Sequence, residues 1–323
     1  MDAETPPSLT ALIKSHIQIA RFDHWVKNVF VLPGIIVPLS FDPHALSFAF
    51  LMRAVVGILS VGLVASSNYT LNELMDAPFD RFHPSKKSRP IVQGRVSIPL
   101  AYVEWILLAT AGLALALRVS SYLFWTNTVL WLMGCIYNIP PLRTKDLPFV
   151  DVLSESINNP LRLLAGWYIV TTSVIPPASL VLSYWMVGCY FMGLKRFSEY
   201  RQINNRDVAA SYRKSFGNYT EVSLLTSVVF YASTSMLFFG AFIMRYRLEL
   251  ILSFPFVALV MAVYLRLAFD HDSVVQRPEG LYRHPLLVTS VTLCAIVMIL
   301  LVKVDLPKLH QVFAPTMPTV GST

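Results

Sequence analysis

The feature that most constrains this chain is a series of apolar runs, each about twenty residues long and almost free of charge, set between polar connections. Twenty residues of helix rise roughly 30 Å, the thickness of bilayer hydrocarbon. A soluble core has no use for so many runs of that length. Of the 323 residues, 55% are apolar and 14% charged, against about 25% charged in soluble domains, and the mean hydropathy is +0.56. An ordinary soluble globule is therefore excluded, and the expected fold is all-α, a polytopic membrane protein.

Nine spans are expected, at 25–41, 48–71, 98–117, 121–139, 152–174, 178–196, 222–244, 249–269 and 286–304. An odd number puts the termini on opposite faces. Residues 1–24 carry Asp2, Glu4, Pro6 and Pro7 with no apolar stretch ahead of a cleavage site, so they read as a retained N-terminal segment. Residues 25–304 form one transmembrane domain, and 305–323, Pro/Thr-rich from Pro307, read as a disordered tail. Of the 26 Lys and Arg, 19 fall on the N-terminal side of the alternating loops and 6 on the other, with Arg162 inside a span. That bias places the N-terminus in the cytoplasm and the C-terminus outside the cell membrane. The connections 72–97, 140–151, 197–221 and 270–285 are the long ones, so function is expected on the cytoplasmic face. The net charge of +7 then reads as orientation and phosphate binding rather than nucleic-acid binding. Cys135, Cys189 and Cys294 lie singly in three runs and read as packing residues. Asn68-Tyr-Thr and Asn218-Tyr-Thr match the glycosylation pattern on the cytoplasmic side, where they are chance matches.

Polar side chains inside a span are costly, and several on one stripe mark a candidate site. The second span ends in Asn68, Asn72, Asp76 and Asp80, spaced by four, with Glu73 adjacent. On a helix such a set forms one stripe leaving the membrane. Carboxylates with amide oxygens are hard ligands of the kind Mg²⁺ takes when it also holds a substrate phosphate, and acids are disfavoured at a helix C-terminus otherwise. Pro78 is expected to loosen the last turn before Asp80. The fifth span opens with Asp151, Glu155, Asn158, Asn159 and Arg162, again on one helical face. A self-neutralising polar seam is the alternative there, but a buried Arg needs an anion, and a phosphate serves as well as a carboxylate. After Asp80, Arg81 to Pro90 is dense in cations, with Lys86, Lys87 and Arg89 as phosphate-binding candidates and His83 as a loop hydrogen-bonder. Lys195, Arg196 and Glu199 leave the sixth span, as an exposed ion pair or as further phosphate and sugar contacts. Pro140 and Pro141 form a rigid turn that brings Tyr137 and Lys145 to the rim. Lys27 is either an interfacial anchor or a contact for a lipid phosphate.

The run Asn72-Glu-Leu-Met-Asp76-Ala-Pro-Phe-Asp80 resembles the first motif, N-D-x-x-D-x-x-x-D, of the UbiA-type intramembrane prenyltransferase superfamily, with Glu73 in place of the usual Asp. Within it the chain is most similar to the decaprenyl-phosphate phosphoribosyltransferases. That similarity lies in Trp25-Val-Lys27-Asn28, the run Asp80-Arg81-x-His83-Pro84-x-Lys86, Leu161-Arg162-x-x-Ala165-Gly166, Gly193-x-Lys195-Arg196-x-x-Glu199 and Arg213-Lys214-Ser215. The second D-x-x-x-D usual in aromatic prenyltransferases is absent, and Asn158-Asn159-Pro160 stands where that branch has small or apolar residues. The resemblance implies a nine-helix fold around a cytoplasm-facing cavity, with Mg²⁺ on Asn72, Asp76, Asp80 and Glu73. It further implies phosphoribosyl diphosphate and a polyprenyl phosphate as substrates, with diphosphate released. Prenyl transfer to an aromatic acceptor is the alternative, since it too expels a metal-bound diphosphate. A transporter would carry polar residues deep in several spans and an inverted repeat, and the polar stripes here keep to one face.

Overall fold

The computed structural model describes residues 9–41, 46–81, 86–276 and 278–314. Among them the chain is helical throughout, in the order α1 Leu9–Ala20, α2 Leu32–Phe41, α3 Phe48–Asp80, α4 Ile98–Val119, α5 Ser121–Asn138, α6 Val150–Ser156, α7 Asn158–Val170, α8 Ala178–Ile203, α9 Arg206–Tyr212, α10 Glu221–Tyr246, α11 Phe254–Ala268, α12 Pro285–Lys303 and α13 Pro307–Val312. A 3-10 helix over Phe22–Val31 joins α1 to α2, and another over Leu248–Ser253 leads into α11. Six helical stretches are long and apolar enough to cross a membrane: 10–41, 48–80, 98–119, 221–246, 248–268 and 285–303. The expected spans at 121–139, 152–174 and 178–196 are also helical, but polar or interrupted. Large apolar side chains face outward along the crossing helices, among them Leu107, Val229, Leu237 and Leu300. In water such a surface aggregates, whereas in lipid it is the solvated one.

Local chemistry sets the helix ends. Ser47 and Ser120 cap α3 and α5 by accepting from the backbone N–H three residues on, at 3.1 Å each, and Thr220 with Ser223 forms a capping box at α10. Pro160 has no N–H to return to the Ser156 carbonyl. The expected single helix at 152–174 is accordingly broken at Ile157 into α6 and α7. Pro78, by contrast, does not end its helix, and α3 runs on through Asp80.

α7 is central, packing against α2, α3, α5 and α8. Its approach to α2 is close because both surfaces are glycine: a Cβ at Gly34 would strike the Leu163 carbonyl, and one at Gly166 the Val31 carbonyl. One core joins Val61, Val64, Leu123, Leu130, Leu161 and Ile169 across α3, α5 and α7, and a second joins α8 to α10 and α11 through residues such as Cys189, Leu194, Leu224 and Tyr264. Cys189 and Cys294 are buried and Cys135 half-buried, all as free thiols.

Two expectations at the chain ends are corrected. The N-terminal segment is not separate from the domain: α1 buries Ile19 and Ala20, and His16 Nδ1 lies 2.8 Å from Glu104 Oε2 on α4. Nor is the tail unstructured from Pro307. The helix α13 is held by Glu249, whose Oε1 lies 3.0 Å from His310 Nε2 and accepts from the Leu306 N–H at 3.3 Å.

Candidate active site

The last two turns of α3 carry the acid stripe to the end of the bundle, and each carboxylate there has its own cation. Asp76 is paired with Lys145, which also donates to Asn138 Oδ1 at 2.7 Å, and with Arg143 at 3.4 Å. Asp80 is paired with Arg89. Asn72 donates through Nδ2 to Asp76 Oδ2 at 3.1 Å and to Asn138 Oδ1 at 2.8 Å, which fixes the amide and leaves its carbonyl oxygen open. Burial is the largest influence on Lys145 and lowers its pKa to about 8, against the opposing pull of Asp76. Asp76 and Asp80 line a cleft of about 20 Å³ with Phe79, Arg143, Lys145, Tyr212, Arg213 and Lys214, room for little more than one water or ion.

Glu73, one residue and 100° around the helix from Asn72, is 2% exposed and is not on this cleft. It is paired with Arg21 and lies 3.4 Å from Arg89. Of the four expected donors for a hard divalent cation, Asp76 and Asp80 line the cleft, Asn72 is joined to Asp76 by its amide, and Glu73 stands with Arg21 and Arg89.

Beside the cleft lies a much larger cavity of about 630 Å³, walled by the 22–31 helix, α3, α7, α8, α11 and α12. Its polar end is formed by Lys27, Asn68, Tyr69, Glu155, Asn158, Asn159, Arg162 and Lys195, and the rest is apolar, with Val29, Phe30, Phe191, Met192, Val288 and Val291. The cations here are treated differently from those at the cleft. Arg162 is 7% exposed and, among the described residues, no carboxylate lies within 4 Å of it and its Nε is buried without an acceptor. Among the described residues Lys195 has no carboxylate oxygen within 4 Å, although Glu199 and Glu155 both act on it at longer range, and Lys27 meets His24 Nδ1 at 3.2 Å and the Tyr69 ring. Among the described residues that line the cavity, three cations therefore stand with one acid, Glu155, which leans toward Arg196 at 3.5 Å.

Of the remaining expected residues, Arg196 is no cavity ligand. It is 2% exposed and holds Asp151 at 3.1 Å, Glu199 at 3.0 Å and the Tyr137 hydroxyl at 3.2 Å. Tyr137 is accordingly buried rather than brought to a rim, and Arg213 donates to it at 3.1 Å. Lys86 donates to the Tyr212 hydroxyl on α9, while Lys87 is exposed. His83 lies outside the described residues. The expected face from Asp151 to Arg162 is split by the α6/α7 break: Asp151 joins the Arg196 network with Tyr219, which donates to it at 2.5 Å, and the other four reach the cavity.

The UbiA prenyltransferase family matches residues 29–281, more than three quarters of the chain. The chain belongs to that family. Decaprenyl-phosphate phosphoribosyltransferases of Corynebacterium glutamicum and Mycobacterium tuberculosis are 29% and 28% identical over 228 and 224 residues, 64% and 69% of this chain. The match spans 60% of the first relative's length, under two thirds, and 71% of the second's. A UbiA homolog from Archaeoglobus fulgidus, in a structure bound to DMAPP and Mg²⁺, shares the fold with a TM-score of 0.66 at 20% identity, over 88% of this chain and 99% of that one.

In this UbiA chain Arg21, Asn138, Arg143 and Tyr212 join the site without a role in the sequence pattern, and Arg213 enters there only through the Arg213-Lys214-Ser215 resemblance. Arg21 and Arg143 read in sequence as orientation charges. Asn138 had a signal of its own, an amide at the end of an apolar run two residues before Pro140.

Proposed function

We propose that this chain is a Mg²⁺-dependent transferase, crossing the membrane nine times, that moves 5-phosphoribosyl from phosphoribosyl diphosphate to a polyprenyl phosphate and releases diphosphate. The observation that carries the reading is the set of three cations, Lys27, Arg162 and Lys195, facing a single acid in a largely apolar cavity beside the acid cleft. Arg162, buried with no carboxylate oxygen within 4 Å among the described residues, calls for an anionic ligand, and the half-buried Lys27 and Lys195 stand on the same cavity. A diphosphate held at the acid cleft leaves that demand unmet, whereas an acceptor that brings its own phosphate on an apolar chain meets both the charge and the walls.

Mg²⁺ on Asn72, Asp76 and Asp80 would bind the diphosphate and take up the charge it gains on leaving. The protein's part is electrostatic and positional. Lys145 and Arg89, which hold Asp76 and Asp80, stand where they can also contact the diphosphate oxygens. Lys86, Arg143, Arg213 and Lys214 add cations around the cleft. Arg162, Lys195 and Lys27 hold the lipid phosphate so that one oxygen reaches the ribosyl C1. The C1–O bond to diphosphate breaks with its electron pair going to the diphosphate, and a C1–O bond to the lipid phosphate forms. The nucleophile is already an anion, so no side chain need remove a proton. In this arrangement Glu73 holds Arg21 and Arg89, and Arg196 holds Asp151 and Glu199.

Prenyl transfer to an aromatic acid is the second reading, because a carboxylate would satisfy Arg162 as well. The deciding assay uses purified protein with Mg²⁺, labelled phosphoribosyl diphosphate and polyprenyl phosphate. Lipid-linked phosphoribose is the expected product. Its absence, together with turnover of a prenyl diphosphate and an aromatic acid, overturns the phosphoribosyl reading.

A further inference from the structure

Three amides stand at the polar end of the large cavity: Asn68 on α3, and Asn158 and Asn159 at the start of α7. A prenyl chain makes no use of them, and phosphate is served by the cations. Each amide is placed by the fold yet left with hydrogen-bonding capacity. Asn68 donates to the Leu130 carbonyl and Asn158 to the Glu155 carbonyl, both at 2.9 Å, and in each the amide oxygen is buried with no donor. Asn159 makes no hydrogen bond among the described residues. Two of the three occupy notches made by glycines on facing helices: a Cβ at Gly134 would strike the Asn68 side chain, and one at Gly188 the Asn159 side chain.

Three buried amide oxygens lack a donor among the described residues, those of Asn68, Asn127 and Asn158, and the two whose residues line the cavity point to a donor that the protein does not supply. An amide offers both an acceptor and donors, the pattern that a hydroxyl group answers from both sides. We propose that Asn68, Asn158 and Asn159 recognise the vicinal hydroxyls of a pentose ring, and so select a sugar phosphate over a prenyl diphosphate. The assignment rests on the phosphoribosyl reading and adds which side chains sense the sugar.

The test compares kcat/KM for 5-phosphoribosyl diphosphate and for its 2-deoxy counterpart, which lacks one hydroxyl of the pair, using the full chain with polyprenyl phosphate and Mg²⁺. Wild type is expected to prefer the ribosyl donor by at least about tenfold, since a site built to bind a hydroxyl rejects the analogue without it. In Asn158→Leu and Asn159→Ala the preference is expected to fall to about twofold or less, a change in selectivity that mere loss of stability does not produce. Asn159→Ala adds no bulk against Gly188 and keeps the test open if Asn158→Leu does not fold. A wild-type ratio near one, or a ratio unchanged in Asn159→Ala, overturns the hydroxyl site and leaves phosphoribosyl transfer standing. Transfer from neither donor, with prenyl transfer present, overturns the phosphoribosyl reading and the hydroxyl site with it.

Discussion

Lys195 and Arg196 are neighbours of the same charge, yet a 100° turn of α8 gives them opposite surroundings. Lys195 lines the cavity with no carboxylate oxygen within 4 Å among the described residues, and Arg196 is enclosed by Asp151, Glu155 and Glu199. Arg196→Leu strands those acids and is expected to destabilise the protein by about 3–5 kcal/mol, the usual effect of breaking a buried pair from one side, read as a fall in thermal midpoint in detergent. Lys195→Ala is expected to leave the midpoint within a degree or two and to slow transfer at least about tenfold, since it removes one charge-assisted phosphate contact. Equal loss of stability in both variants would contradict the division. Asp76→Asn is expected to abolish turnover while the protein stays folded, and retained activity would remove Asp76 from the metal set. Sequence singles out this pair of cations, but adjacency along the chain does not say which one meets the acids.

Helices were legible where their signals are local. The i, i+4 spacing of Asn72, Asp76 and Asp80 needs only a continuous α3, and that helix is present through Pro78. The break between α6 and α7 was missed, although Pro160 was in plain sight, because apolar periodicity continues across it. The contact of α2 with α7 depends on Gly34 and Gly166 meeting face to face, a fact of packing between segments 132 residues apart. Gly166→Leu is expected to force the helices apart at a cost of about 1–3 kcal/mol, the range for overpacking. A thermal midpoint equal to wild type would show that the interface yields more easily than its backbone contacts imply.

The assembled bundle presents apolar side chains outward and gathers polar ones into a small cleft and one end of a larger apolar cavity, the arrangement on which the proposed joining of a charged donor to a lipid acceptor relies. We propose for it the orientation implied by the 19-to-6 division of Lys and Arg between the two sets of expected loops, with the acid cleft in the cytoplasm. A membrane-impermeant maleimide applied to intact cells is therefore expected to label Lys308→Cys and to leave Arg95→Cys unlabelled until the cells are opened. Both positions are exposed, and the native thiols are buried or half-buried. The reverse pattern would invert the topology and move the acid cleft to the outside.

Length and hydropathy of the apolar runs were enough to establish an all-α membrane protein, because the bilayer imposes one dimension on every span. The acid stripe and the loop cations were likewise visible, since helical spacing and charge are properties of contiguous residues. Pairing was not visible. Which cation holds Asp76, which arginine is locked away from ligand, and which amides keep an unfilled oxygen all depend on side chains brought together from α3, α5, α7 and α8. Electrostatic and hydrogen-bonded partners act over a few ångströms in space, and the chain orders its residues along a different coordinate.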